Sequence, residues 1–298
     1  MKRQIFAVSA LVFAASLPLP AATAPSAAPG LLAWHNRAET AFAEARKSGK
    51  PVLVDLYAAW CGWCKTMERE VFTQARFQTY AERFVLLRVD VEDGAAGSEL
   101  QQRFRADSLP TLLLLDPKQG LIGTIEGFME TEKLIARLER ELRSYNALLA
   151  AYEATLAAND PAAWRSRGQE MHARGDGGRA AVLFERVLRD GKLTGDELAW
   201  TRLQLADAYR IDGRFADAKK TATELRGSLS AGGKPPQNPD LAERVDLLLV
   251  FIAGGERDCA GAAFALAAFE RGHPRSPYLG DARRIYSALK SDTTAQCS

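Results

Sequence analysis

A chain of 298 residues is long enough for two domains, and a composition 47% hydrophobic and 26% charged places it with ordinary globular proteins rather than fibrous or disordered ones. The formal charge of +2 equals the contribution of Lys2 and Arg3, and the rest of the chain is balanced. A balanced chain has no global electrostatic attraction for nucleic acid or anionic lipid, so those partners are set aside.

Lys2-Arg3, the apolar run 5–17 and the small residues around 21–24 follow the order of an export signal. That run is shorter than the roughly 20 residues needed to span a bilayer, so cleavage is expected rather than anchoring. Residues 1–24 form the expected signal peptide. The cut is placed between residues 21 and 28, because Pro25 follows Ala22-Thr23-Ala24 directly and disfavours cleavage there. Export, to the periplasm in a Gram-negative source, exposes the four cysteines to oxidising conditions. Cys61 and Cys64 are spaced to close a tight redox ring. Cys259 and Cys297 remain, either as a structural disulfide or as two free thiols.

In chain order, Trp34, Ala38, Ala41, Phe42 and Ala45 recur at helical spacing and predict a helix over 33–47, stopped by Gly49. His35, near its start, reads as a surface or capping residue. An apolar strand is expected over 51–57, interrupted by Asp55. After Cys61-Gly62-Trp63-Cys64, a helix is expected over 65–81, with Met67, Val71 and Phe77 facing the core. Strands follow over 84–91, 112–116 and 121–126, a short helix over 97–105 and a long helix over 130–156. This order describes a sheet with helices on both faces and a right-handed crossover between the central strands.

The dithiol opens a helix, where backbone N–H groups favour negative charge and lower a thiol pKa. Cys61 is therefore the expected nucleophile, and Cys64, one turn further in and more buried, the resolving thiol. Gly62 allows close backbone approach, and Trp60 shields one side while offering an apolar surface to substrate. Half a zinc site is the competing reading. It needs a second ligand pair, and His35, His172, His273 and the distant cysteines offer no compact spacing, so no metal is expected.

The run Val54-Asp-Leu-Tyr-Ala-Ala-Trp-Cys-Gly-Trp-Cys-Lys65, with Leu109-Pro110-Thr111 downstream and Gly127 after the last strand, resembles the thioredoxin superfamily. It is most similar to exported thioredoxin-like domains fused to or served by membrane disulfide reductases. The resemblance implies an α/β thioredoxin-like domain over 31–145, a central mixed sheet with helices on both faces. It also implies thiol–disulfide exchange with no dissociable cofactor. Pro110 matches the family's cis-proline, where backbone groups align an incoming chain. Asp55 matches the buried carboxylate behind the second cysteine, whose desolvated, raised pKa suits it to take the Cys64 proton. Trp60, Gly62, Trp63, Leu109 and Thr111 are the expected substrate contacts. Three positions depart from the family pattern. Trp63 replaces a proline, Arg69 stands where the helix often kinks at proline, and Leu86 stands where a lysine often accompanies the acid. Gly62-Trp63 places no cation between the cysteines, which favours a reductase or exchanger over a strong oxidase.

From 146 to 298 strand signals vanish and a helical repeat emerges. Trp164, Gly168, Met171, Gly175, Ala180 and Phe184 form one copy. Leu205, Ala206, Tyr209, Gly213, Ala218, Ala222 and Leu225 form a second, and Val250, Ala253, Ala262, Leu266 and Phe269 a looser third. A capping helix is expected over 278–289 and a loop over 228–240. The pattern resembles tetratricopeptide repeats, implying a concave surface for a protein partner; a helical cap that stabilises the first domain or drives dimerisation is the plainer alternative. The expected partners are protein thiols and disulfides, a membrane disulfide reductase as electron donor, and a protein on the repeats. The rival expectations are a non-catalytic repeat-based chaperone or assembly factor, and soft-metal handling by the dithiol.

Overall fold

Among the described residues, five strands make one mixed sheet in the order β1-β3-β2-β4-β5. They are β1 (Trp34–His35), β2 (Val52–Tyr57), β3 (Val85–Asp90), β4 (Thr111–Leu115) and β5 (Leu121–Glu126). β1 and β2 run parallel to β3, whereas β4 is antiparallel to β2 and β5 to β4. The computed structural model describes residues 32–93, 96–190, 192–230, 240–291 and 297. The expected export signal and most of the 228–240 loop lie outside the described residues.

β2 is central because its run is apolar on both faces, the pattern of a strand covered from two sides. Leu53 joins Leu86, Leu112 and Leu114 in a core with Phe77, Leu134 and Leu138. Val52, Val54 and Leu56 join Leu87, Leu113 and Leu115 with Ala41, Phe42 and Ala45. The helices behind these residues are α1 (Ala38–Ser48), α3 (Ala75–Ala81) and α5 (Thr131–Ala157); α2 (Gly62–Met67) carries the dithiol, and α4 (Ala96–Phe104) follows β3.

Two local expectations are corrected. The first helix starts at Ala38 rather than 33, since Trp34 and His35 pair with Leu86 and Leu87 as an edge strand. Trp34 shares the helical spacing, but its ring packs 5.2 Å from that of Phe72. His35 bonds Thr40 and Glu44. The expected helix over 65–81 is also broken. α2 passes into a π-helical turn, Glu68–Phe72, and α3 begins after Gln74, whose backbone is extended. A widened turn brings consecutive Val71 and Phe72 both into the core, which regular α-helical spacing resists.

Beyond Ala157 the described chain is helical. α6 (Pro161–Ala173) packs on α7 (Gly177–Arg189), α8 (Gly195–Ile211) on α9 (Phe215–Ser230), and α10 (Asp240–Gly255) on α11 (Cys259–Gly272), with α12 (Leu279–Ser291) closing the end. Met171, Ala180, Phe184, Ala206, Ala218, Ala222, Leu225, Ala253, Ala262 and Phe269 are all buried. Gly168 lets α6 approach α7: a Cβ there would stand 2.9 Å from the Phe184 ring. The turns inside the first two pairs use Gly175 and Gly213 at positive φ, and the third uses Arg257. Cys259 and Cys297 are bonded, with Cα atoms 5.4 Å apart, tying residue 297 to the start of α11.

The sheet and the helices share one apolar cluster running from Leu53 to Ile252. α5 carries it across residue 145, with Leu134 and Leu138 buried on one side of that position and Leu148 and Tyr152 on the other. Polar contacts reinforce the junction. The Leu121 N–H of β5 donates to the Arg174 carbonyl at 2.8 Å, and Arg103 donates to Gln119 and to the Gly175 carbonyl. Arg179 pairs with buried Asp176, which caps α7, and lies 3.1 Å from buried Asp116. The Tyr145 hydroxyl donates to Asp116 at 2.7 Å, and burial together with that carboxylate holds the phenol well above its usual range. One guanidinium thus neutralises two buried acids. Breaking such an arrangement leaves uncompensated charge, so Arg179→Met is expected to cost about 2–4 kcal/mol, discounted for the partial exposure of the arginine. Urea denaturation of the full chain at pH 7 measures it; a loss below about 0.5 kcal/mol would show that the junction draws nothing from this network.

Candidate dithiol site

Cys61 is the N-cap of α2, in extended backbone conformation, and its sulfur accepts the Cys64 N–H at 3.1 Å. The two cysteines are disulfide-bonded with Cα atoms 5.3 Å apart. They are recessed almost equally, 4% and 3% exposed, so in this oxidised state the expected greater burial of Cys64 comes to almost nothing. Their neighbours do the opposite. Trp60 is 68% and Trp63 61% exposed, an unusual outlay of apolar surface next to a buried sulfur pair. The Trp60 indole N–H donates to Glu92 at 2.9 Å, and the Trp63 ring lies 5.6 Å from that of Phe128. A Cβ at Gly62 would meet nothing within 4 Å, so packing does not require glycine there; it leaves space above the turn.

The Leu109–Pro110 peptide is cis. Gly127, at positive φ, donates its N–H to the Pro110 carbonyl at 2.8 Å, and the Thr111 hydroxyl donates to the Ser108 carbonyl at 2.6 Å. Leu109 packs against the cluster that contains Cys61 and Cys64.

Asp55 lies in the middle of β2, 2% exposed, between Arg88 of β3 and Leu112 of β4 in the strand register. Burial pushes its carboxyl up to about 7; the Arg88 charge pulls it down and Glu68 pushes it up, both more weakly. The Arg88 Nε stands 3.2 Å from Asp55 Oδ2, yet its N–H is not aimed to make a hydrogen bond. The rest of the guanidinium is committed to Glu68, at 2.8 and 2.9 Å, and stacks over the Tyr57 ring at 4.5 Å. Hydrogen bonding to Arg88 lowers the Glu68 carboxyl in turn. Glu68 follows Cys64 by one helical turn, so Arg88 ties the buried acid to the helix bearing the dithiol.

This corrects the reading of Leu86. Position 86 is apolar and buried opposite Leu53, but the cation stands two residues on, on the same strand face. Neither Arg88 nor Glu68 was among the expected site residues. The alternation of β3 carried the signal for Arg88; Glu68 joins only through the tertiary packing of α2 on β3.

A recessed disulfide at a helix N-terminus, following a strand that buries a carboxyl pushed up to about 7, is the arrangement of a thioredoxin-like domain. Residues 33–117 match the family model described as thioredoxin-like. The thiol:disulfide interchange protein DsbD of Cronobacter sakazakii is 36% identical over 102 residues, 33% of this chain and 18% of that protein. Its counterpart in Ralstonia nicotianae is 37% identical over 105 residues, 35% of this chain and 17% of that one. The chain spans less than a fifth of the length of these relatives. Among solved structures, a DsbH oxidoreductase aligns at 20% identity and TM-score 0.36, over 41% of this chain and 90% of that one. The oxidised C-terminal domain of Neisseria meningitidis DsbD aligns at 20% identity and TM-score 0.32, over 37% and 99%. The N-terminal part of this chain is thus a thioredoxin-like domain homologous to part of the thiol:disulfide interchange proteins.

The Asp55 environment also fixes a pH dependence of stability. Its folded pKa, about 7, exceeds the ordinary aspartate value of 3.8, so between those values the native state holds more protons than the unfolded one. Stability from this group is complete at low pH and declines as pH rises toward and past 7. Asp55→Asn removes the penalty, and the variant is expected to gain up to about 4 kcal/mol over the wild type at pH 8.5 and almost nothing at pH 4. Guanidinium melts of the oxidised proteins at the two pH values test this; an equal difference at both would place the Asp55 pKa elsewhere.

Proposed function

We propose that this chain is an exported thiol–disulfide oxidoreductase, acting on protein disulfides as a reductase or exchanger rather than as a strong oxidase. The observation that carries the reading is the Cys61–Cys64 pair at the N-terminus of α2, with Asp55 buried in the preceding strand and its carboxyl pushed up to about 7. In the reduced protein the Cys61 thiolate attacks a substrate disulfide, forming a mixed disulfide and releasing one substrate thiolate. Asp55, in its ionised form, takes the Cys64 proton. The Cys64 thiolate then attacks the Cys61 sulfur, which closes the internal disulfide and releases the second substrate thiol. Two electrons pass from the dithiol to the substrate, and no dissociable cofactor takes part.

Leu109, Pro110 and Thr111 align the incoming chain beside the dithiol, and Trp60, Gly62 and Trp63 present the surface on which it rests. Renewal of the dithiol needs an electron source. A membrane disulfide reductase fits, given the homology to thiol:disulfide interchange proteins. The residue order at the N-terminus supports a periplasmic destination. Residues 31–145 form the redox domain and 146–298 a tetratricopeptide-like array that positions a protein partner. The burial of the repeat's small and aromatic positions and the pairing of α6 to α11 support that reading.

The test is reduction of a protein disulfide such as insulin by the purified, dithiol-reduced chain. Cys61→Ser is expected to lose turnover to background, and Cys64→Ala to accumulate mixed disulfides with periplasmic proteins in cells. Equal activity of wild type and Cys61→Ser ends the oxidoreductase reading. The potential of the Cys61–Cys64 couple gives direction: a value near thioredoxin's roughly −270 mV marks a reductant, and one near about −120 mV an oxidant.

A further inference from the structure

The first helices of successive pairs touch, α6 with α8 and α8 with α10, and α12 extends this row along α10. Side chains that cross the row form rungs. Arg165 of α6 pairs with Glu197 of α8 at 2.7 Å, and His172 of α6 with Asp207 of α8 at 2.8 Å. Arg210 pairs with the same Asp207 at 2.6 Å and lays its guanidinium 5.6 Å from the centre of the Phe251 ring of α10. Each of these rungs brings an acid to its cation. The rung at the far end does not. Arg244 of α10 is exposed, and its guanidinium lies 5.7 Å from the ring centre of Trp200 on α8 and 5.7 Å from that of Tyr278, just ahead of α12. One of its nitrogens donates to the Tyr278 hydroxyl at 3.4 Å, and among the described residues no carboxylate pairs with it. Ring faces attract and restrain a guanidinium without neutralising it, so its planar N–H fork stands at the surface partly ordered. Further along the same face of α10, Leu247 and Phe251 are half-buried.

We propose that Arg244, set by Trp200 and Tyr278, is a subsite of the helical array for an aspartate or glutamate side chain of a protein partner, with an apolar residue beside that acid seated on Leu247 and Phe251. The proposal rests on the reading of residues 146–298 as a partner-binding array. Charge complementarity selects the ligand. A guanidinium fork accepts a carboxylate through two parallel N–H···O bonds, and such charge-assisted bonds are about twice as strong as neutral ones. An amide of the same shape accepts one bond and leaves the cation unpaired. The row continues on both sides of Arg244, toward Asp207 on one and along α12 on the other. A chain lying along it therefore runs past the guanidinium and presents a side chain rather than its own end. Leu247 and Phe251 then take apolar surface from the neighbouring residue out of water.

The experiment measures retention of peptide pools on the immobilised full chain. The pools are short, end-blocked and free of cysteine, so no exchange at the dithiol enters. Each has one fixed central residue, glutamate, glutamine or lysine, followed by leucine and randomised elsewhere. Wild type is expected to retain the glutamate pool about tenfold over the glutamine pool. The preference should shrink in about 1 M salt, where the screening length falls to about 3 Å. Arg244→Met, which keeps an apolar stem beside the rings, should abolish it. Arg244→Glu should turn it toward the lysine pool, a gain that misfolding does not produce. Equal retention of the glutamate and glutamine pools by wild type, or an unchanged preference in Arg244→Met, overturns the subsite and leaves the partner-binding reading standing. Retention of no pool above bare resin removes both. Two further outcomes also overturn the proposal: a glutamine pool with a free C-terminus retained as well as the glutamate pool, which assigns Arg244 to a chain end, and self-association of the chain that Arg244→Met abolishes, which assigns the face to a second copy.

Discussion

A carboxyl group buried in the central strand is the constraint around which the redox domain is arranged. Asp55 has apolar neighbours in register on β4 and a single cation on β3, and a fully ionised acid at such depth is costly. The fold meets this by leaving the pairing incomplete. Arg88 approaches Asp55 but spends its hydrogen bonds on Glu68, so the acid stays near its midpoint around neutral pH instead of being locked as a carboxylate. A group so poised can take up and give back a proton; an acid held in a full bidentate pair could not.

The same economy appears at the other end of the sheet. Asp116 and Asp176 share Arg179, and Tyr145 of α5 closes the group, so the sheet, the long helix and the first helical pair meet around one buried charge cluster. α5 runs unbroken from sheet to helices, and the apolar core follows it. The orientation of the helical array is therefore set by packing rather than by a linker.

Much of this was legible in the chain. The run from Val54 to Lys65 placed strand, dithiol and helix start, because an apolar strand, two cysteines and a helix N-terminus each leave a local signature. The spaced glycines and alanines from 163 to 269 likewise marked helical pairs, since small residues are needed where helices approach closely. What the chain hid were effects of neighbours distant in sequence. Trp34 fits a helical pattern and becomes an edge strand because Leu86 is there to pair with it. The helix after Cys64 breaks at the π-helical turn that carries Val71 and Phe72 together into the core, where Phe72 and Phe77 stack 5.2 Å apart.

By itself, the sequence determined the class of chemistry and the two kinds of architecture, because cysteine spacing, helix capping and hydrophobic period are local properties that survive without a partner. The electrostatics of the site were settled by tertiary structure alone. Arg88 is identified by strand register, Glu68 by the seating of α2 on β3, and Phe128 as Trp63's neighbour by the return of β5 to the proline turn. A pKa and an aromatic contact depend on which side chains share a few ångströms of space, and the pairing of strands and helices decides that only once the chain has folded.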